Sequence, residues 1–120
     1  MIIIGNLGQE LQGMIMNEYQ ELALRTASSK SKEELILNGV LGLAGESGEV
    51  ADIVKKHLFQ GHELNTAKLL DELGDVLWYI AITAKGIGVE LDDIAAHNID
   101  KLRKRYPQGF EIERSVNRNE

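Results

Sequence analysis

The sequence predicts an all-α protein, an antiparallel helical bundle completed by oligomerisation. Three observations predict it. Apolar residues recur at steps of three and four through most of the chain, the period of an amphipathic helix and not of a strand. The single proline is Pro107, and alternating runs of β-branched residues, the raw material of strands, are scarce. The helical segments are joined by short connections that carry cap chemistry, and short connections between long helices make antiparallel neighbours.

Each element follows from local signals. Leu11, Ile15, Tyr19, Leu22 and Thr26, with Met14 alongside, mark a first helix from about Gln9 to Ala27. Ser28, Ser29 and Lys30 interrupt it. Ser31 with Glu34 three residues on forms a capping box that opens a second helix, which runs to about Gln60, with Gly61 as its stop. A helix of that length leaves room for a kink in its glycine-rich middle. Asn65 or Thr66 caps a third helix, ending around Gly86-Ile87-Gly88. A fourth opens at Asp92-Asp93, where the dipole favours acids, turns Ile94, Ala95, Ile99 and Leu102 toward the core, and stops at Tyr106-Pro107. Residues 1–110 read as one domain, and 111–120 as a charged, flexible tail.

Composition bounds the function. The chain has 120 residues, 43% hydrophobic and 27% charged, the balance of one globular domain. A net charge of -6 argues against a nucleic-acid partner, which requires a basic face. With no cysteine there is neither a disulfide nor a thiolate metal site. Met1-Ile2-Ile3-Ile4 is too short to span a membrane and lacks the basic start of a signal peptide, so a soluble, cytoplasmic protein is expected.

The chemistry concentrates in two acidic pairs. Glu46 and Glu49 lie three residues apart, so their carboxylates leave one face of the second helix as neighbours; Glu72 and Asp75 repeat the arrangement on the third. Both pairs are embedded in apolar runs, where carboxylates repel one another and protonate unless a cation neutralises them. Four hard oxygen donors suit Mg²⁺, Mn²⁺ or Ca²⁺. Taken singly, either pair reads as solvated surface acids, but the repetition in a matching setting favours a metal. Gly39, Gly42, Gly45 and Gly48 recur every third residue beside the first pair, each costing about 1 kcal/mol against alanine in a helix. Close helix packing, or room beside the acids for a metal and a bulky ligand, accounts for such a cost. No Walker-type loop, no GxGxxG and no internal repeat is present.

Glu46-x-x-Glu49, then 22 residues, then Glu72-x-x-Asp75 resembles the signature of the MazG-type, all-α nucleoside triphosphate pyrophosphohydrolases. The resemblance extends to Asn98-Ile99-Asp100-Lys101-Leu102-Arg103-Lys104-Arg105-Tyr106-Pro107-Gln108-Gly109-Phe110, which is similar to the family's closing segment. Asn17-Glu18-Tyr19-Gln20 and Ala23-Leu24-Arg25-Thr26 resemble its opening helix. The resemblance implies Mg²⁺-dependent cleavage of (deoxy)nucleoside triphosphates between the α and β phosphates, giving a monophosphate and pyrophosphate. It makes Glu46, Glu49, Glu72 and Asp75 the metal ligands, with Mn²⁺ a substitute, and it implies a homodimer or homotetramer. One carboxylate, with Glu49 preferred, is then the general base for the attacking water.

Given that resemblance, Asn98, Lys101 and Arg105, at i, i+3 and i+7 on the last helix, are expected to offer an amide and two cations to phosphate oxygens. Without it they read as surface groups favoured by the helix dipole. Lys56 shares the face of Glu49 and is a further phosphate candidate. Tyr79, four residues after Asp75, borders the metal face and is a nucleoside contact; Asn38, Asn17 and Tyr19 are weaker candidates, for which capping or packing is the plainer reading. Trp78 belongs to core or interface. His57, His62 and His97 lack mutual metal-ligand spacing. Two other readings stay open: a non-enzymatic metal-binding oligomerisation module, and a same-fold enzyme narrow for dUTP or phosphoribosyl-ATP. A di-iron bundle is disfavoured because neither acidic pair contains a histidine.

Overall fold

A computed structural model describes residue 11 and residues 13–28 and 30–118. Within them the chain forms α1 (Met16–Leu24), α2 (Lys32–Phe59), α3 (Thr66–Gly86), α4 (Leu91–Arg105) and α5 (Ile112–Val116). Among the described residues there is no strand, only an isolated bridge between Pro107 and Gly109. The all-α expectation holds. Gln9 and Glu10, included in the sequence-based first helix, lie outside the described residues. No helix among the described residues is long and apolar enough to cross a membrane.

Caps set most of the boundaries. Ser31 Oγ accepts the Glu34 N–H at 3.3 Å and opens α2, which runs unbroken through the glycine series. Gly61, at φ +75°, reverses the chain after it, a conformation that glycine reaches without strain. Asn65 Oδ1 accepts from Lys68 N–H at 3.0 Å and starts α3. α3 closes in a Schellman turn: Gly88, at φ +82°, donates to Lys85 C=O and Val89 donates to Ala84 C=O, both at 3.0 Å. α4 opens one step earlier than its aspartates suggest. Glu90 is the cap, and the Asp93 carboxylate accepts the Glu90 N–H in return at 2.9 Å.

α2 and α3 pack side by side and antiparallel. Gly86 lies against Leu35 and Ile36, Gly39 against Thr83, and Gly42 against the Tyr79 ring, so the number on one helix falls as that on the other rises. A Cβ at Gly39 would overlap Thr83 Oγ1 and one at Gly42 would overlap the Tyr79 ring. These two glycines let the helix backbones approach. α1 crosses the same end of the hairpin. The core gathers there: Ala23, Ala81, Ala84 and Leu91 in one cluster, Leu24, Leu35 and Ile82 in another, with Trp78 touching both. The Trp78 indole N–H donates to Ala23 C=O and Thr26 Oγ1, both at 3.0 Å, so its polar edge is satisfied inside the packing.

Two polar residues of α1, one turn apart, bind α1 to the α3–α4 turn. The buried Gln20 donates to Ala81 C=O at 3.2 Å and Val89 C=O at 3.1 Å and accepts from Leu91 N–H at 3.0 Å. Asn17 donates to the Glu90 carboxylate at 2.5 Å and accepts from Asp92 N–H at 3.0 Å. Buried Gln20 thus meets its hydrogen-bonding needs, and the start of α4 is held to α1.

The apolar face expected of α4 does not enter the core of a single chain. Leu91 is buried, but Ile94, Ile99 and Leu102 are exposed; the side-chain hydrogen bonds between α1 and the start of α4 fall at Glu90, Leu91 and Asp92. Leu41 is 68% and Phe59 80% exposed on α2, and Leu73 is exposed on α3. The segment after Glu111, expected from sequence to be a loose tail, contains α5. Arg114 Nη1 reaches back to the Arg105 carbonyl at 3.4 Å.

Candidate metal centre

The antiparallel register carries Glu46 past the third helix at the height of Glu72 and Asp75. One carboxylate oxygen from each of the three lies within 4.8 Å of the others. Glu46 and Glu72 are half-buried and Asp75 is exposed. The Glu46 carboxyl is raised above its ordinary value, chiefly by a hydrogen bond with Glu72. Partial burial and the charges of Glu72, Asp75 and Glu49 push it the same way. Every charge that perturbs Glu46 is negative. Hard carboxylate oxygens converging from two helices, with no cation among those that perturb Glu46, fit a divalent oxygen-seeking ion and do not suit a soft metal.

Glu49 stands one turn further along α2. It is exposed and lies outside the three-carboxylate group, yet its charge reaches both Glu46 and Lys56. The Tyr19 hydroxyl of α1 is also raised, mainly by burial and then by the charge of Asp75, which places Tyr19 beside the cluster. Around the acids the helix surfaces are bare. A Cβ at Gly45, Gly48 or Gly74 would meet nothing within 4 Å, the reverse of Gly39 and Gly42. Close helix packing therefore accounts for Gly39 and Gly42, whereas Gly45 and Gly48 lie on open surface near the acids.

The remaining sequence candidates scatter. Lys56 is tied to Asp52 at 2.8 Å, and Lys55 binds the same carboxylate at 3.1 Å, which holds the Asp52 carboxyl below its ordinary value. Tyr79 is half-buried between α2 and α3, edge-on to Trp78 at 5.0 Å. Asn38 borders a small cavity of about 280 Å³ with Ser28, Glu34 and Leu37. Asn17 caps α4, as its plainer reading has it. Asn98 is exposed on α4, and Lys101 and Arg105 line a cleft against α5 in place of the acidic cluster. That cleft also holds Arg114 and Arg118, which the sequence reading passed over as tail. Their i, i+4 spacing was the available signal.

The fold is all-α, and it gathers carboxylates from two adjacent antiparallel helices into one cluster whose donor chemistry fits a hard cation. The family described as MazG nucleotide pyrophosphohydrolase domain matches residues 36–110, more than half of the chain and including all three clustered acids, and the chain belongs to that family. It is similar to the Gene 37 protein of Mycobacterium phage L5, at 40% identity over 73 residues, 58% of this chain and 64% of that protein. The chain thus spans less than two thirds of that relative's length. No solved structure matches it.

Proposed function

We propose that this protein hydrolyses (deoxy)nucleoside triphosphates between the α and β phosphates, releasing a nucleoside monophosphate and pyrophosphate, with Mg²⁺ as cofactor and Mn²⁺ as a substitute. The observation that carries the reading is the convergence of Glu46, Glu72 and Asp75 within 4.8 Å at the bare end of the α2–α3 hairpin, in a chain of the MazG family. These three residues would hold the ion. When bound, it supplies charge neutralisation between an acidic protein and a highly charged triphosphate. Net reaction adds one water across the anhydride linkage.

The chain's own residues divide the remaining work. Glu49, exposed and outside the group of three, would take the proton of the attacking water, the role of a general base, since it is the one of the four acids not in that group. The open surface at Gly45, Gly48 and Gly74 leaves space for the nucleotide. Asn98, Lys101 and Arg105 remain the phosphate contacts of this reading. Lys101 and Arg105 line a cleft away from the acids of their own chain, so in this reading they would serve the acids of a second copy. The exposed Leu41, Leu73, Ile99 and Leu102 supply the apolar surface for a homodimer or homotetramer.

The test is pyrophosphate release from a panel of dNTPs and NTPs, including dUTP, with and without Mg²⁺. Mg²⁺-dependent release of monophosphate and pyrophosphate is expected. Orthophosphate as the product would move the cleaved bond. Metal binding without turnover of any nucleotide would leave a metal-binding helical module in place of an enzyme.

A further inference from the structure

One strip of α2 leads away from the acids toward the start of the helix. Glu49, Gly45, Gly42 and Asn38 succeed one another at steps of four, three and four, so they share one side of α2. A Cβ at Gly45 would meet nothing within 4 Å, and the Tyr79 ring borders the strip at Gly42. Glu49 and Asn38, at its two ends, are exposed. The strip is therefore a track along the helix surface, bare at Gly45 and polar at either end.

At the Asn38 end the chain forms a cavity of about 280 Å³, lined by Ser28 from the α1–α2 connection and by Glu34, Leu37 and Asn38 from α2. The cap of α2 uses only the backbone N–H of Glu34, which donates to Ser31 Oγ. Among the described residues, neither the Glu34 carboxylate nor the Asn38 amide has a hydrogen-bond or ion-pair partner. The helix dipole accounts for an acid in the first turn. It does not account for Asn38 in the second turn, nor for the cavity between them. The cavity thus combines a carboxylate that only accepts, an amide that both donates and accepts, and one apolar wall.

We propose that this cavity reads the base of the nucleotide whose phosphates the acidic centre engages, and that it selects bases carrying an exocyclic amine over uracil and thymine. The proposal rests on the hydrolase reading of that centre. Asn38 precedes Glu46 by eight residues, about 12 Å along a helix that rises 1.5 Å per residue. That is close to the span from the phosphates of an extended nucleotide to the far edge of its base. The volume lies below that of pockets enclosing a whole drug-sized ligand, so the cavity takes one ring system and leaves the sugar and phosphates on the track. Glu34 accepts from an amine, whereas uracil and thymine bring a carbonyl oxygen to the same place, lone pairs against a carboxylate. Asn38 presents a donor or an acceptor to the neighbouring position of the base edge, which suits cytosine, adenine or guanine.

The experiment is equilibrium titration of the full chain, in Mg²⁺, with the α,β-imido analogues of dCTP and dUTP, whose bases differ only along the edge that Glu34 and Asn38 contact. Pyrophosphate release from dCTP and dUTP is measured in parallel. The cytosine analogue should bind about tenfold more tightly, one hydrogen bond gained and one repulsion avoided. Glu34→Gln, whose amide donates to a carbonyl as readily as it accepts from an amine, should bring the two affinities together. A variant that merely disturbs the fold weakens both analogues alike and leaves their ratio unchanged. Asn38→Ala should weaken both about threefold, the loss of one hydrogen bond. Equal affinity of the wild type for the two analogues, a preference that Glu34→Gln leaves intact, no effect of Asn38→Ala, or failure of both analogues to bind overturns the proposal. A preference for cytosine without cleavage of either parent nucleotide upholds the pocket and overturns the hydrolase reading; cleavage of both with equal affinities does the reverse.

Discussion

The α2–α3 hairpin is built on one plan away from its connecting loop and on another nearer to it. Far from the loop Gly39 and Gly42 bring α2 onto Thr83 and Tyr79, α1 crosses over, and Ile82 and Leu91 are fully buried. Nearer the loop a Cβ at Gly45, Gly48 or Gly74 would touch nothing, and Glu46, Glu72 and Asp75 face one another with no neutralising cation among the groups that perturb Glu46. The same residue type, at the same three-residue spacing, serves packing in one half and clearance in the other. Stability is thus concentrated away from the acids, which leaves the acidic end free to be organised by what it binds.

The comparison breaks most visibly in turnover. Glu46→Gln, Glu72→Gln or Asp75→Asn should each lower metal-dependent turnover by more than about 100-fold, the upper cost of altering even the outer shell of a metal site. Thermal unfolding of the metal-free variants should be unchanged or slightly improved, because a repulsive contact is relieved. Glu49→Gln should lose about 10²- to 10⁴-fold in turnover, as for a general base, while retaining metal affinity; steady-state kinetics alongside metal titration separates the two cases.

Stability variants sharpen the contrast. Gly42→Ala should destabilise by about 1–3 kcal/mol, because the new methyl meets the Tyr79 ring in a filled interface. Gly48→Ala should do the reverse and stabilise the metal-free protein by about 1 kcal/mol, the helix propensity of alanine with no clash to offset it. Urea unfolding measures both. The smallest effect concerns Asp52, whose carboxyl is held below its ordinary 3.8 by Lys56 and Lys55. A lowered folded-state value means that the stabilisation is complete above the unfolded value and disappears as pH falls through the folded one. The wild-type advantage over Asp52→Asn should therefore be present near neutrality and vanish in acid, and pH-dependent melting curves would show whether it does.

Local chemistry was readable in the sequence, and long-range placement only in part. Ser31, Asn65, Gly61 and Gly88 mark their boundaries because a cap is decided within a few residues. The three clustered acids were readable because i, i+3 spacing fixes a face and a short connection makes α2 and α3 antiparallel. Glu90 was missed as the start of α4 because its capping depends in part on Asn17, far away in the chain. The exposure of Ile94, Ile99 and Leu102 was missed because helical periodicity identifies an apolar face without saying what covers it. Lys101 and Arg105 carry the right chemistry for phosphate, but spacing on α4 says nothing of where α4 lies relative to α2. α5 was hidden in a segment too short and too charged to show a period.

The most direct measurement of the central claim is Mn²⁺ binding followed by electron paramagnetic resonance. The wild-type chain and Gly42→Ala should bind the ion saturably, and Glu72→Gln should lose that binding while its helical content remains. Wild-type affinity in Glu72→Gln would contradict the assignment of the α2–α3 acids as the metal centre.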